Sequence, residues 1–112
     1  MDINFAERNG NLIIKIRGEI DSHSAQNIRG AVEEKFASSA AKNIIFDFAH
    51  VGFMDSSGIG MVIGRYKELQ KLGGRVFAIN IGSTIDRIFE ISGLKKIIPC
   101  FASLDEIENT YK

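Results

Sequence analysis

Cysteine and proline each occur once in this chain, tryptophan not at all, and histidine only as His23 and His50. A lone Cys100 cannot close an internal disulfide; it reads as a small buried hydrophobe and is assigned no role. The two histidines and the cysteine stand at no spacing that suits a metal ion, and no cofactor follows from these residues. An excess of charge of one sign is also missing. Fourteen Lys and Arg balance fourteen Asp and Glu, which leaves no net field to draw the chain to a phosphate backbone or an anionic lipid surface. Nucleic acid is therefore not an expected partner. No apolar run approaches the roughly 20 residues needed to cross a bilayer, and Met1-Asp2-Ile3-Asn4 does not open a signal peptide. No membrane association and a cytoplasmic location are the expectations.

What is present is ordinary globular material. Of 112 residues, 45% are apolar and 25% charged, enough to bury one core but too few residues for two. One domain over residues 1–112 is expected, since no repeat, low-complexity tract or linker divides the chain.

The apolar spacing changes period along the chain. Ile3 and Phe5 alternate with polar neighbours, Arg8-Asn9-Gly10-Asn11 signals a turn, and Leu12, Ile14 and Ile16 alternate again, which predicts a hairpin. Ala25, Ile28, Val32 and Phe36 then recur at helical spacing behind a cap at Asp21 or Ser22. Ile44-Ile45-Phe46-Asp47-Phe48 predicts a central strand buried on both faces. A second helix runs from Asp55-Ser56-Ser57 to Gly73-Gly74, with Ile59, Val62, Ile63, Tyr66 and Leu69 as its stripe. Residues 75–81 predict another strand, followed by a short helix capped by Ser83 and ended by Gly93. Ile97-Ile98 suggests a brief edge strand before Pro99. A last helix opens at Ser103, with Glu106 completing a capping box and Leu104, Ile107 and Tyr111 buried. The class is α/β: a mixed, mainly parallel sheet of four to five strands with about four helices.

In such a sheet the loop leading from the central strand into the second helix lies at the carboxyl end of the strands, where open α/β folds carry their functional groups. Met54-Asp55-Ser56-Ser57-Gly58 fills that loop. Asp55 or Ser56 could simply cap the helix. Alternatively, two adjacent hydroxyls beside a glycine offer an acceptor for phosphoryl transfer, which would add roughly −1.5 to −2 charges at one surface point. Ser56, His23 and Asp21 or Asp55 could be imagined as a hydrolytic triad, but Ser56 has no Gly-x-Ser-x-Gly elbow and enzymatic activity is not expected. Gly58-Ile59-Gly60-Met61-Val62-Ile63-Gly64 lacks the Lys-Ser/Thr of a P-loop and misses the Gly-x-Gly-x-x-Gly spacing; its glycines are read as close packing of helix on sheet. Phe53 and Met54 are either an apolar contact for a partner or packing under the loop.

Gly18-Glu19-Ile20-Asp21, Phe53-Met54-Asp55-Ser56-Ser57-Gly58-Ile59-Gly60, Gly64-Arg65-Tyr66-Lys67, Gly73-Gly74 and Phe89-Glu90-Ile91-Ser92-Gly93-Leu94 together resemble the anti-sigma-factor antagonists of the STAS family, over nearly the whole chain. The resemblance implies that Ser56, directly after the motif aspartate, is a phosphoacceptor with Ser57 as its supporting neighbour. It implies a partner surface of Asp21, Met54, Asp55, Ser56, Ser57 and Gly58. It also implies the partners: an anti-sigma factor that is an ATP-dependent serine kinase, and a PP2C-like phosphatase that restores the serine. The alternatives are a constitutive STAS scaffold or a weak nucleotide-binding regulatory module.

Overall fold

The computed structural model describes residues 2–111. β1 (Asp2–Arg8) and β2 (Asn11–Arg17) form an antiparallel hairpin. Asn9 and Gly10 both take positive φ, 52° and 81°, as a two-residue turn matched to the strand twist requires. The chain continues through α1 (Ser22–Ala37), β3 (Asn43–His50), α2 (Ser56–Lys71), β4 (Val76–Ile79), α3 (Ser83–Ser92), a 3₁₀ turn (Leu94–Lys96), β5 (Cys100–Phe101) and α4 (Leu104–Thr110). The five strands lie in the order β1-β2-β3-β4-β5, parallel from β2 onward, with β3 in the middle. The expected mixed, mainly parallel α/β sheet is thus observed.

The period-2 rule sorts the strand residues onto two faces. Leu12, Ile14 and Ile16 of β2, Ile44, Phe46 and Phe48 of β3, and Val76 and Ala78 of β4 face one side. There they form the main core with Ile28 and Val32 of α1, Val62 and Leu69 of α2, and Ile85 and Phe89 of α3. Phe46 stacks on Phe48, and Phe48 meets Phe89 edge-on. The alternate residues Ile45, Phe77 and Ile79 form a smaller cluster with Ile107 of α4. Among the described residues the short helix α4 covers that second face, and Arg8 ties it down through Asp105 and Glu108 at 3.1 and 2.8 Å.

Four local expectations are corrected. Ile97-Ile98 is not a strand: Ile98 N–H donates to the Leu94 carbonyl at 2.8 Å, which keeps it in a turn, and the pairing falls to Cys100 and Phe101 beyond Pro99. Gly82, not Ser83, occupies the cap of α3 and offers no side chain to it. Ser103 caps α4 through Glu106 N–H, but the Glu106 carboxylate reaches Ala102 N–H, so the reciprocal half of the box is displaced by one residue. Tyr111 is 42% exposed, resting against Phe77 rather than buried.

Gly73 (φ 78°) and Gly74 close α2. A Cβ on Gly74 would run into the Lys42 carbonyl, the point where the turn before β4 crosses the approach to β3. Gly74→Ala should therefore lose about 1–3 kcal/mol through forced backbone movement, read as a lower urea midpoint with unchanged slope.

Candidate functional site

Two crossover loops meet at the carboxyl edge of β2 and β3. Gly18 N–H donates to the His50 carbonyl, Ile20 N–H to Phe53, and Asp55 N–H returns to Ile20, at 3.0, 3.0 and 3.1 Å. Ile20 and Met54 pair as an isolated parallel bridge and are both buried. The sheet is in effect extended by one rung, and that rung fixes the start of α1 beside the start of α2.

Each start carries an aspartate cap. Asp21 accepts from His23 N–H and Ser24 N–H at 3.0 and 2.9 Å, while Ser24 Oγ accepts from Asp21 N–H, a complete capping box. Asp55 accepts from Ser57 N–H and Gly58 N–H at 2.8 and 3.3 Å. In both, the carboxylate satisfies helix N–H groups that have no intrahelical acceptor. The Ser24 backbone N–H, then the Ser24 hydroxyl, hold the Asp21 carboxyl below its ordinary value. Asp21, not Ser22, and Asp55, not Ser56, are thus the caps.

With Asp55 taking the capping role, Ser56 is left free. It is exposed on the first turn of α2, and among the described residues its hydroxyl makes no hydrogen bond. Ser57 is half-buried. Gly58 packs where no side chain fits: a Cβ would stand 2.9 Å from both Ile20 Cγ2 and Met54 Cβ. The rung and the helix can therefore close only over glycine.

The geometry brings Asp21, Asp55, Ser56 and Ser57 to one edge and puts Met54 beneath it. Met54 is 1% exposed whereas Phe53 is 48% exposed; direct partner contact through Met54 does not fit this placement, and Phe53 is the apolar group at the surface. No hydrogen bond joins the His23 side chain to Ser56 among the described residues. No cluster of three or more His, Cys, Asp or Glu is grouped to hold a metal among the described residues, and no helix among them is long and apolar enough to cross a membrane. Burial pushes the half-buried Cys100 thiol up to about 11, which makes it a poor nucleophile at neutral pH.

Sequence periodicity missed Arg65. The buried stripe of α2 is Gly58, Met61, Val62, Arg65 and Leu69, with Ile59, Ile63 and Tyr66 on its flank. Arg65 is 7% exposed and bonds Glu33 of α1 at 3.1 Å, yet among the described residues its Nε has no hydrogen-bond partner. Its position three and four residues from Val62 and Met61 was the available signal. Gly60 and Gly64 also depart from the sequence reading: a Cβ on either meets nothing within 4 Å, so neither is needed for packing, and each costs the helix about 0.5–1 kcal/mol relative to alanine.

The STAS domain family model matches residues 2–107. The chain is 31% identical over 101 residues to an anti-sigma F factor antagonist of Paenibacillus polymyxa, covering 90% of this chain and 86% of that protein. It superposes on the anti-sigma factor antagonist SpoIIAA in its unphosphorylated form with a TM-score of 0.74 at 26% identity, over 98% of this chain and 96% of that one. On the phosphorylated form of the Bacillus cell fate determinant SpoIIAA the TM-score is again 0.74, at 29% identity over 99% and 100%. The chain belongs to the STAS domain family.

The caps make two stability predictions. Asp55→Ala should cost about 1 kcal/mol and Asp55→Asn only a few tenths, measured by urea unfolding. Because the folded Asp21 carboxyl titrates below its ordinary value of 3.8, its contribution is present above that value and lost as pH falls through the lower folded one. Asp21→Asn should flatten the fall in stability below about pH 4, seen in unfolding midpoints taken from pH 6 down to pH 2.

Proposed function

We propose that this chain is an anti-sigma factor antagonist whose docking is switched at Ser56. Unphosphorylated, it binds an anti-sigma factor through the edge formed by Asp21, Asp55, Ser56 and Ser57, with Gly58 and Met54 shaping that edge from below, and the bound anti-sigma factor releases its sigma factor. The same partner acts as a serine kinase. Ser56 Oγ takes the γ-phosphoryl group of ATP, gives up its proton and releases ADP. A PP2C-like phosphatase hydrolyses the phosphoserine and restores binding. The chain works in the cytoplasm of a bacterium and is not itself an enzyme.

The observation that carries this reading is the division of labour at the start of α2. Asp55 satisfies the helix N–H groups of Ser57 and Gly58, which leaves Ser56 exposed with a hydroxyl that makes no hydrogen bond among the described residues. The names of the similar proteins support the same reading, as does the likeness of this fold to SpoIIAA in both its unphosphorylated and its phosphorylated form.

The energetics favour a docking switch over an unfolding one. A phosphate on Ser56 would sit at a helix N-terminus, which favours anionic groups by about 0.3–1 kcal/mol, while Asp55 and Asp21 repel it. A partner surface fitted to a neutral serine would have to bury an unpaired dianion at a cost of several kcal/mol. A micromolar complex is worth about 8 kcal/mol, so such a cost would release it.

Incubation with the host anti-sigma factor kinase and ATP should raise the intact mass by one phosphate, and Ser56→Ala should abolish that gain while still binding. Ser56→Asp should bind at least about tenfold more weakly, a difference of 1.4 kcal/mol. Undiminished phosphorylation of Ser56→Ala, or Ser56→Asp binding as tightly as the native chain, would leave a constitutive scaffold as the function.

A further inference from the structure

α1 and α2 lie side by side, and a furrow runs between them away from Ser57. It consists of two hollows of about 320 and 570 Å³ that share Arg29, Gly64 and Arg65 and so form one channel. Its floor carries the two glycines that internal packing does not require. Gly60 and Gly64 stand four apart on one face of α2, each with open space where a side chain would project. Helix glycines carry a conformational cost, and what they provide here is a surface on which another backbone can lie close.

The second observation is electrostatic. Arg65 lines this channel while 93% buried, and its Nε has no hydrogen-bond partner among the described residues. Arg65 and Arg29 share one carboxylate, Glu33, at 3.1 and 3.6 Å. Farther along, Lys67, Lys71 and Glu68 line the continuation, and Glu68 engages Lys71 at 3.6 Å. Four cations thus meet two carboxylates in the furrow of a chain whose net charge is zero. Such a local excess selects for acidic groups on whatever lies there.

We propose that the α1–α2 furrow is the seat of an acidic helix of the protein partner, whose backbone lies over Gly60 and Gly64 and whose carboxylates face Arg29, Arg65 and Lys67. The inference rests on the partner-binding function above and names the chemistry of the partner's contact. A helix fits because the hollow that runs from Ser57 to Arg65 is walled by α1 on one side and α2 on the other, the arrangement in which ridges of side chains seat into grooves. The furrow ends at Ser57, beside the exposed Ser56, so a helix seated in it would present its end to the switch.

Binding to the purified host anti-sigma factor kinase tests this by calorimetry, with each variant's melting temperature taken alongside. Gly60→Ala should melt higher than the native chain, because alanine favours the helix, yet bind more weakly. Gly60→Leu should weaken binding at least about tenfold. Arg29→Glu, at an exposed position, should weaken it most at low salt, and reversing one acidic residue on the partner's helix to arginine should restore it. Native-like affinity of Gly60→Leu and Arg29→Glu, with Ser56→Asp still impaired, would overturn the furrow and leave the switch standing. Failure of the native chain to bind at all would overturn both.

Discussion

The architecture of the edge that carries Asp21, Asp55 and Ser56 depends on one backbone rung, the pairing of Ile20 with Met54 just beyond the ends of β2 and β3. Loops following parallel strands normally diverge into their separate helices. Here the Ile20 and Asp55 N–H groups exchange with Phe53 and Ile20 carbonyls, so the two loops remain sheet for one more residue before turning. The immediate consequence is that Asp21 and Asp55 stand as equivalent caps on neighbouring helices. Gly58 is what the rung demands in return, because Ile20 and Met54 occupy the space that a Cβ would need.

The rung is held from below by the asymmetry of the sheet. Three helices cover the face that carries Leu12, Phe46 and Phe48, and burying that face stabilises α1 and α2 far more than their own helix propensity does. The starts of both helices are thus anchored by large buried side chains while their first turns remain at the surface. The opposite face needs only α4, because Asn11, Asn43 and Arg75 supply a polar rung across β2, β3 and the start of β4 instead of apolar residues. Asn43 serves both neighbours there, donating to Asn11 and accepting from Arg75 N–H. A segment that binds little apolar surface is enough to close that side.

Much of this was legible in the sequence where one local rule decided the outcome. Asn9-Gly10 dictated the hairpin, the change from period 2 to helical spacing after Gly18 located α1, and the continuous apolar run of residues 44–48 marked β3 as central. The edge bearing Asp21, Asp55, Ser56 and Ser57 was legible as well, because caps and helix starts have sequence signals. What was not legible depended on contacts distant in sequence. Ile98 is apolar enough for a strand, but its N–H is committed to Leu94, so β5 forms two residues later. Met54 sits in the same motif as the exposed Phe53, and only the pairing with Ile20 decides which of the two is buried. Arg65 occupies an apolar stripe that composition would give to a leucine; its tolerance there requires Glu33, thirty-two positions away on another helix.

These features together determine where a charge added at Ser56 can act. The rung, Gly58 and the buried core fix the start of α2 without using the Ser56 side chain, and Asp55 already satisfies the N–H groups of Ser57 and Gly58. A phosphate would find no buried partner to displace and no cap to compete for, while the helix terminus partly offsets its repulsion from the two aspartates. The fold is thus nearly indifferent to that charge. An interface is not, because desolvation multiplies the cost of an unpaired charge at the point where a partner closes over it. A switch of the kind proposed at Ser56 would therefore need no moving part within the domain: a start of α2 fixed without the Ser56 side chain would direct most of the electrostatic penalty to the complex.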